Sequence, residues 1–343
     1  MSIITDGTIG LAIADAVGVP AEFKSRYQLR ANPITDMVGF GSHNQPAGYW
    51  SDDTSMLLAT MDSLTDKYDL DDIMQKFCAW YYGNAYTPNN NTFDAGGVVG
   101  AALHRYRNGT PALMCGGRDR YDNGNGSLMR ILPIVFYQFA LYNRFITNNR
   151  PALLTPISEV SGLTHAHPIS LIGCGIYAQI IAAMIRFRQD NGILPGISGK
   201  SGDLRAEIQR AVTTAWNDYE YAGRGNIYNS DTFKKNVIHY QRLRDIKTFA
   251  NADEDSIASS GYVVATLEAA LWCFLNTDNY RDCVLKAVNL GKDTDTVAAV
   301  AGSFAGITYG MEGMPQHWID QLARLDWILD MCRRFEDSLP EKI

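Results

Sequence analysis

The chain has 343 residues, of which 46% are hydrophobic and 20% charged, and its formal net charge at pH 7 is −7. These values are typical of a soluble globular protein with a sizeable core. An acidic chain without a long run of lysine and arginine is poorly suited to neutralising a phosphate backbone, which disfavours nucleic acid as a primary partner. A small polar or phosphorylated ligand remains open.

The N-terminal segment MSIITDGTIGLAIADAVGVPAEF lacks a basic leader and carries Asp6 and Asp15 within its first apolar stretch, so it does not resemble a secretory signal. The longest apolar run, Leu171 to Ile185, is interrupted by Gln179 and is too short to span a bilayer. We therefore expect a cytosolic protein that does not enter a membrane.

Helical periodicity dominates the chain, because apolar residues recur at spacings of three and four, whereas alternating strand patterns are nearly absent. The predicted helical segments are Gly7 to Val17, Ser55 to Ser63, Asp71 to Tyr82, Ile169 to Arg188, Asp203 to Asp218, Gly261 to Leu275, Thr296 to Tyr309 and Pro315 to Phe335. The predicted fold class is all-α, a compact helical bundle formed by residues 1–343 as a single domain, since no Pro/Gly/Ser-rich linker divides the chain.

Two features interrupt this pattern without defining a second domain. Residues 224–256 are polar and weakly periodic, which predicts a surface excursion that need not touch the core. The six cysteines contain no C-x-x-C pair and lie mostly in apolar surroundings, which favours reduced core thiols over disulfides or a zinc site. They are Cys78, Cys115, Cys174, Cys273, Cys283 and Cys332.

The stretch YWSDDTSMLL, residues 49–58, places acidic and hydroxyl side chains just before an apolar helix. Its polar residues are Ser51, Asp52, Asp53 and Thr54. Such residues ordinarily cap a helix, because their oxygens accept hydrogen bonds from the unpaired N–H groups of the first turn. Taken alone, the stretch indicates a cap more strongly than a functional site.

A second acidic helix start, GKDTDTVAAVAGSFAG, places Asp293, Asp295 and Thr296 before another apolar helix. Helix N-termini favour ionised carboxylates, but four carboxylates on two adjoining helix ends would repel one another unless a cation lay between them. Oxygen ligands of this kind suit Mg²⁺ or Mn²⁺ rather than zinc. The alternative is that the two helix starts lie on opposite sides of the molecule, with Lys292 compensating one of them.

The string DTDTV within this start also matches the nucleophile motif of phosphatases of the haloacid dehalogenase type. That motif must follow a buried β-strand near the beginning of an α/β domain. Here it follows CVLKAVNLGK, which is helical in pattern, and only about fifty residues come after it. This alternative is therefore weak.

Three further polar clusters lie in apolar surroundings. In NTFDAGG, Asp94 precedes a glycine-rich helix and could act as a general base or a cap. RYDNGNGSLMRILP, which begins at Arg120, has a loop of the kind whose backbone N–H groups bind phosphate. THAHP places His165 and His167 where they could bind a ligand or cap the next helix.

Together these stretches resemble the ADP-ribosylglycohydrolase family, in particular its bacterial dinitrogen reductase-activating branch. The motifs GLAIADAVGVPAEF, YWSDDTSM, NTFDAGG, NGNGSLMRILP, THAHP, SSGYVVATLEAALWCF and GKDTDTVAAVAG occur in the order found in that family. The resemblance covers most of the chain. It implies an all-α fold with a binuclear centre of two Mg²⁺ or Mn²⁺ ions.

The resemblance also implies roles for individual residues. The implied metal ligands are Ser51, Asp52 and Asp53 from the first helix start and Asp293, Asp295 and Thr296 from the second. The implied catalytic groups are Asp94 as general base, Asp53, and Glu22, which is either a metal ligand or a substrate-side group. Ser51 replaces the more usual threonine, and Lys292 replaces a frequent glycine.

The implied ADP-ribose-binding residues form a loop and two further cleft positions: Tyr121, Asp122, Asn123, Gly124, Asn125, Gly126, Ser127, His165 and Tyr262. Some relatives have an aromatic residue at the position of Asn123, so Tyr262 is expected to take a larger part in stacking on adenine.

The activity implied by the resemblance is hydrolysis of the N-glycosidic bond that joins ADP-ribose to a protein side chain, with arginine as the expected acceptor. The partner is then an ADP-ribosylated protein. Two alternatives remain: a hydrolase of O-linked ADP-ribosyl-serine or of a small ADP-ribose compound, and a non-catalytic ADP-ribose-binding protein. Residues 224–256 would either contact the modified protein or form a solvated insertion.

Overall fold

The computed structural model describes residues 2–142, 150–194, 201–220 and 230–343, apart from the side chains of residues 150–153, 201–203 and 230. Within these ranges the chain forms α-helices and short 3₁₀ turns, with isolated bridges but no β-strand. The helices are α1 (Ile3–Gly18), α2 (Arg26–Ala31), α3 (Asp52–Asp66), α4 (Leu70–Gly83), α5 (Gly97–Arg107), α6 (Leu132–Leu141), α7 (Arg150–Gly162), α8 (Pro168–Asn191), α9 (Ser201–Glu220), α10 (Ser230–Val237), α11 (Ile246–Ala250), α12 (Val263–Leu275), α13 (Tyr280–Asn289), α14 (Thr294–Tyr309), α15 (Gln316–Gln321) and α16 (Leu325–Ser338).

The predicted all-α class is confirmed, and seven of the eight predicted segments each coincide with one helix. The eighth, Pro315 to Phe335, is wrong as a single helix, because α15 ends at Gln321 and α16 begins at Leu325. Between them Arg324 adopts a left-handed conformation with φ of +50°, which no α-helix accommodates. The weak phosphatase alternative is also excluded, since DTDTV follows helix α13 rather than a strand.

Helices α1 and α14 pack together at the centre of the molecule and make the most extensive helix contact in the described structure. Glycine permits this close approach. A Cβ atom on Gly302 would lie 2.3 Å from the backbone oxygen of Gly10, and one on Gly306 would lie 2.3 Å from that of Asp6. At the ends nearest the acidic helix starts, a Cβ on Gly18 would lie 2.3 Å from the Cα of Asp295. This packing fixes the N-terminus of α14.

Two helical stretches, Ile3–Ala21 and Pro168–Asn191, are long and apolar enough to cross a membrane by length and composition. The second stretch extends beyond both ends of the apolar run Leu171 to Ile185, which the sequence analysis considered too short to span a bilayer. In both stretches 94% of the most apolar window is buried inside the protein, so the rest of the fold covers their apolar surface. They are core helices of this structure.

Residues 224–256 were predicted to form a surface excursion that need not touch the core, and their described part, residues 230–256, does contact the core. Phe233, Tyr240, Leu243 and Phe249 are all buried. The Tyr240 hydroxyl donates a hydrogen bond of 2.8 Å to the backbone oxygen of Ile169 on α8. Widely spaced apolar residues within a polar stretch produce this packing. Residues 224–229 lie outside the described residues.

The cysteine prediction is confirmed, because all six thiols are free. Five are buried and Cys78 is half-buried. Burial raises the pKa of the Cys273 thiol well above its usual value and that of Cys283 to about 12, so both stay protonated and pack as small apolar side chains.

Candidate metal centre and ligand cleft

The two acidic helix starts meet in the folded chain, and the alternative that they lie on opposite sides of the molecule is excluded. The hydroxyl of Thr296, in the first turn of α14, donates a 3.2 Å hydrogen bond to Oδ1 of Asp53, in the first turn of α3. Ser51 caps α3, since its Oγ accepts from the backbone N–H of Asp53 at 3.3 Å. The six residues proposed as metal ligands thus come together at two adjoining helix N-termini.

Asp15 holds the first of these helix starts in place, and the sequence did not reveal this role. It is completely buried on α1. Its carboxylate accepts from the backbone N–H groups of Ser51 and Thr54 and from the Thr54 hydroxyl, the last at 2.6 Å. Burial nevertheless raises the pKa of Asp15 to about 6. A polar residue within an apolar helix was the only sequence signal available.

The carboxylates of this centre form two overlapping groups of three residues. Within each group, one carboxylate oxygen from every residue lies within 4.8 Å of the other two. One group joins Asp15, Asp53 and Asp295, and the other joins Glu22, Asp293 and Asp295. Burial, followed by the charge of neighbouring carboxylates, raises the pKa of Asp53 and Asp295 well above the usual value. Within the described ranges none of these carboxylates pairs with a lysine or arginine, and Glu22 alone contacts a basic side chain, that of His43.

Unpaired oxygens at this cluster show that its side chains suit a metal ion. Asp53 Oδ2, Asp293 Oδ1 and Asp295 Oδ2 are buried and have no hydrogen-bond partner. A buried carboxylate oxygen without a partner is costly unless it coordinates a metal or its group takes up a proton. The donors are oxygen atoms only, which is the set that Mg²⁺ and Mn²⁺ prefer. The residues present therefore fit a hard divalent cation.

A further group lies beside this cluster, where Glu22, His43 and Asp94 bring their side-chain atoms within 4.8 Å of one another. His43 Nε2 contacts the Glu22 carboxylate, and the imidazole lies between the rings of Phe23 and Phe93 at centroid distances of 5.6 and 5.4 Å. Burial, and then the charge of Asp94, raises the pKa of Glu22 to about 10. The sequence analysis did not identify His43.

Left-handed backbone conformations occur on both sides of the cluster. Asp94 has φ of +52° and Phe23 of +64°. Lys292, where the family resemblance implied a frequent glycine, has φ of +67°, and its backbone N–H and C=O pair with Lys24 and Phe23 at 2.7 and 2.6 Å. Glycine adopts this conformation without steric cost, so the backbone at this position suits the implied glycine. The lysine side chain does not prevent Asp293 from reaching the cluster.

A cavity of about 230 Å³ opens over these carboxylates. Its walls come from the acidic cluster, from the start of α5, and from the loop before α6. Among the residues lining it are Glu22, Asp52, Asp94, Gly124, Asn125, Gly126, His165, Gly261, Asp293 and Thr296. Residues predicted as metal ligands, general base and ligand-binding loop thus share one cleft.

The loop predicted to bind ADP-ribose reaches this cleft only in part. Gly124 and Gly126 line the cavity, and Asn125 donates 2.9 Å hydrogen bonds to Asp293 Oδ2 and Thr266 Oγ1, which ties the loop to the metal cluster. Ser127 is instead completely buried, where its Oγ accepts from Ser161 at 2.9 Å.

The other three loop residues do not line the cavity, and their contact with ADP-ribose stays a prediction. The Asn123 amide bonds Arg120 O and Ser170 Oγ, and Asp122 accepts from the Asp119 N–H, so both side chains stabilise the loop itself. Tyr121 is 78% exposed and does not line the cavity. A spacing pattern identifies such a loop but not the direction of each side chain.

Tyr262 and the two histidines have separate positions. Tyr262 directly precedes α12 and is 37% exposed beside the loop, where Gly124 and Tyr262 form an antiparallel bridge. His165 is buried and lines the cavity. His167 caps α8, because its Nδ1 accepts from the N–H of Ile169 at 3.3 Å. The predicted helix cap is therefore His167, whereas His165 lines the cavity and its contact with a ligand stays a prediction.

Comparison with known proteins gives consistent matches over nearly the whole chain. The family model described as ADP-ribosylglycohydrolase matches residues 2–342. The ADP-ribosylarginine hydrolase Tri1 of Pseudomonas putida (strain GB-1) is 32% identical over 339 residues, which are 97% of this chain and 77% of that protein. The ADP-ribosyl-[dinitrogen reductase] glycohydrolase of Rhodospirillum rubrum is 27% identical over 320 residues, 92% of this chain and 88% of that protein.

A solved structure agrees with this result. A chain described as an ADP-ribosylglycohydrolase-related protein complex superposes with a TM-score of 0.71 at 25% sequence identity, over 98% of each chain. The similarity therefore extends over nearly the whole fold.

Proposed function

This chain belongs to the ADP-ribosylglycohydrolase family, and we propose that it is a metal-dependent hydrolase that releases ADP-ribose from a modified arginine side chain of a protein. The observation that carries the proposal is the set of buried, unpaired carboxylate oxygens at two adjoining helix N-termini beneath a cavity. The arginine acceptor is supported by the name of the Pseudomonas putida relative. We further propose that the protein acts in the cytosol.

The residues that would hold the metals are Ser51, Asp52, Asp53, Asp293, Asp295 and Thr296. When bound, two Mg²⁺ or Mn²⁺ ions would orient ribose hydroxyl groups and lower the pKa of a nearby water. Asp15 keeps the first turn of α3 in position through three hydrogen-bond donors. Asn125 keeps Asp293 in position and joins it to the ligand loop.

Asp94 is the proposed general base. It lines the cavity, belongs to the group with Glu22 and His43, and is only half-buried, so a water in the cavity can reach it. In the proposed reaction the water oxygen bonds to the anomeric carbon as the carbon–nitrogen bond to the guanidine breaks. Asp94 accepts the water's proton and that proton passes on to the departing guanidine nitrogen, so the products are free ADP-ribose and unmodified arginine, and Asp94 is again a carboxylate. The surrounding carboxylates stabilise positive charge developing on the ribose.

The decisive experiment compares matched peptides that carry ADP-ribose on arginine or on serine. We expect Mg²⁺-dependent release of ADP-ribose from the arginine peptide, with at least tenfold slower release from the serine peptide. Asp295→Asn serves as the inactive control. Faster release from the serine peptide would show that serine, not arginine, is the acceptor. Tight binding of ADP-ribose without release from either peptide would indicate a non-catalytic binding protein.

A further inference from the structure

Arg130 lies beneath the ligand cleft as a completely buried cation without a carboxylate partner in the described part of the chain. Its Nη2 donates to the hydroxyl of Thr164 at 2.8 Å and to the backbone oxygen of Val160 at 3.2 Å. The guanidinium lies 4.5 Å from the centroid of the Phe77 ring. A buried charge held mainly by neutral groups is expensive and calls for a functional explanation.

The hydrogen-bond chain that begins at Arg130 favours one arrangement of the protons on Thr164 and His165. An arginine side chain only donates, so the oxygen of Thr164 must accept from it. The hydroxyl hydrogen of Thr164 is then available to another acceptor, and His165 Nδ1 lies 2.9 Å away. When Nδ1 accepts this hydrogen instead of donating its own to Thr164 Oγ1, the neutral imidazole carries its proton on Nε2.

The Nε2 side of the His165 ring faces the cavity. Gly124 and Gly126 are pressed against this ring edge: a Cβ on Gly124 would lie 3.3 Å from Nε2 and one on Gly126 3.0 Å from Cε1. The two glycines and His165 line the cavity together. Within the described residues no protein group hydrogen-bonds to Nε2, so its N–H is available to a ligand.

We propose that Arg130 and Thr164 are positioning residues that fix His165 as a neutral Nε2–H donor to a phosphate or hydroxyl oxygen of the bound ligand. The proposal rests on the proposed function, since it takes ADP-ribose as that ligand. Burial, together with the charge of Arg130, lowers the pKa of His165 to about 3, which keeps the ring neutral at physiological pH. A fixed donor of this kind can hydrogen-bond to a ligand oxygen but not to a ligand N–H at the same point.

The experiment measures the tautomer directly in the full-length protein. With ¹⁵N-labelled histidine, two-bond ¹H–¹⁵N correlations distinguish protonated from unprotonated ring nitrogens, and His165→Gln identifies the signals. Thr164→Val removes the hydroxyl at nearly constant volume, whereas the matched control Thr164→Ser retains it. Affinity for ADP-ribose is measured on the wild-type, Thr164→Val and Thr164→Ser proteins by calorimetry in saturating Mg²⁺.

The proposal predicts a proton on Nε2 and none on Nδ1 of His165 in the wild-type protein and in Thr164→Ser. In Thr164→Val the Nδ1–H tautomer becomes populated, and ADP-ribose binds about tenfold more weakly, as expected for the loss of one hydrogen bond. A wild-type ring protonated on Nδ1 would overturn the proposal even if Thr164→Val did not fold. Unchanged tautomer and affinity in a folded Thr164→Val protein would overturn it as well.

The outcome is separable from that of the proposed function. The tautomer is read in the free protein and requires no turnover. Failure to release ADP-ribose from any substrate would reject the hydrolase while leaving the wild-type tautomer as predicted. An Nδ1–H ring in an active hydrolase would reject only the role of Arg130 and Thr164.

Discussion

Asp94 is the residue on which the proposed chemistry depends most directly. Its backbone is left-handed, with φ of +52°, in the segment before α5, and its side chain faces the cavity beside Glu22. Aspartate and asparagine tolerate this conformation better than most residues. Asparagine is therefore the substitution that removes the basic carboxylate while retaining the backbone.

For Asp94→Asn we expect kcat to fall by roughly 10² to 10⁴, the usual contribution of a general acid or base. The stabilisation of the protein by Mg²⁺, measured as the shift in Tm, should persist, because the six proposed metal ligands are intact. Steady-state release of ADP-ribose checks the first expectation and thermal unfolding the second. Full turnover in the variant would show that another group accepts the proton.

The residues that sequence reasoning found and missed differ in their local context. Ser51, Asp53 and Asp293 stand at helix starts, where a polar residue before an apolar run is readily recognised. Asp15 lies inside an apolar helix and His43 in a single 3₁₀ turn, and both depend on partners distant in the chain. Only folding reveals that Asp15 supports Ser51 and that His43 contacts Glu22.

At the scale of elements, the contact between α1 and α14 couples the core to the metal centre. The two helices approach through Gly10, Gly302 and Gly306, so their backbones lie in direct contact. Any displacement of α14 also moves Asp293, Asp295 and Thr296 at its N-terminus. Stability and metal affinity should therefore depend on the same glycines.

Gly302→Ala tests this coupling. The added Cβ would lie 2.3 Å from Gly10 O and 2.4 Å from Ala14 Cβ, which forces the helices apart. We expect a loss of about 1–3 kcal/mol in the free energy of unfolding, the usual cost of overpacking, together with weaker Mg²⁺ binding. Denaturant unfolding and calorimetry measure the two effects.

Gly83→Ala is the matched control, since nothing lies within 4 Å of a Cβ at this last residue of α4. This variant should be neutral or slightly more stable, because alanine favours helix over glycine. Equal stability of the Gly302→Ala and wild-type proteins would show that the helices can separate at no cost.

Element boundaries show what periodicity leaves out. The central helices α1, α12 and α14 were predicted because their apolar positions repeat over several turns. The break between α15 and α16 was missed, since apolar spacing continues across it while the conformation of Arg324 does not. The packing of residues 230–256 was missed for the opposite reason, because a few widely spaced apolar residues suffice to anchor short helices.

For the whole molecule, the buried carboxylates make stability depend on pH and on metal. A carboxyl group whose pKa is higher in the folded than in the unfolded state binds its proton more tightly when folded. The contribution of such a group to the stability of the folded protein is therefore favourable at low pH and is lost as the pH rises through its folded-state pKa. The raised pKa values are about 6 for Asp15 and about 10 for Glu22.

We accordingly expect the Tm of the protein in EDTA to fall between pH 5 and pH 8. The free energy of unfolding should fall by up to about 1.4 kcal/mol per pH unit for each proton released. Glu22→Gln should make this slope shallower, because it removes one such proton. Saturating Mg²⁺ should also reduce the slope, since a bound cation compensates the carboxylates. A Tm in EDTA that rises with pH in this range would contradict the assignment of these carboxyl groups.

The most direct test of the central claim is calorimetric titration of Mg²⁺ into the EDTA-treated protein, after the chelator is removed. The account predicts saturable binding of two ions to the wild-type chain and loss of that binding in Asp295→Asn, whose carboxylate belongs to both acidic groups. Absence of binding to the wild-type protein, or equal binding to the variant, would contradict a metal centre at the two helix N-termini.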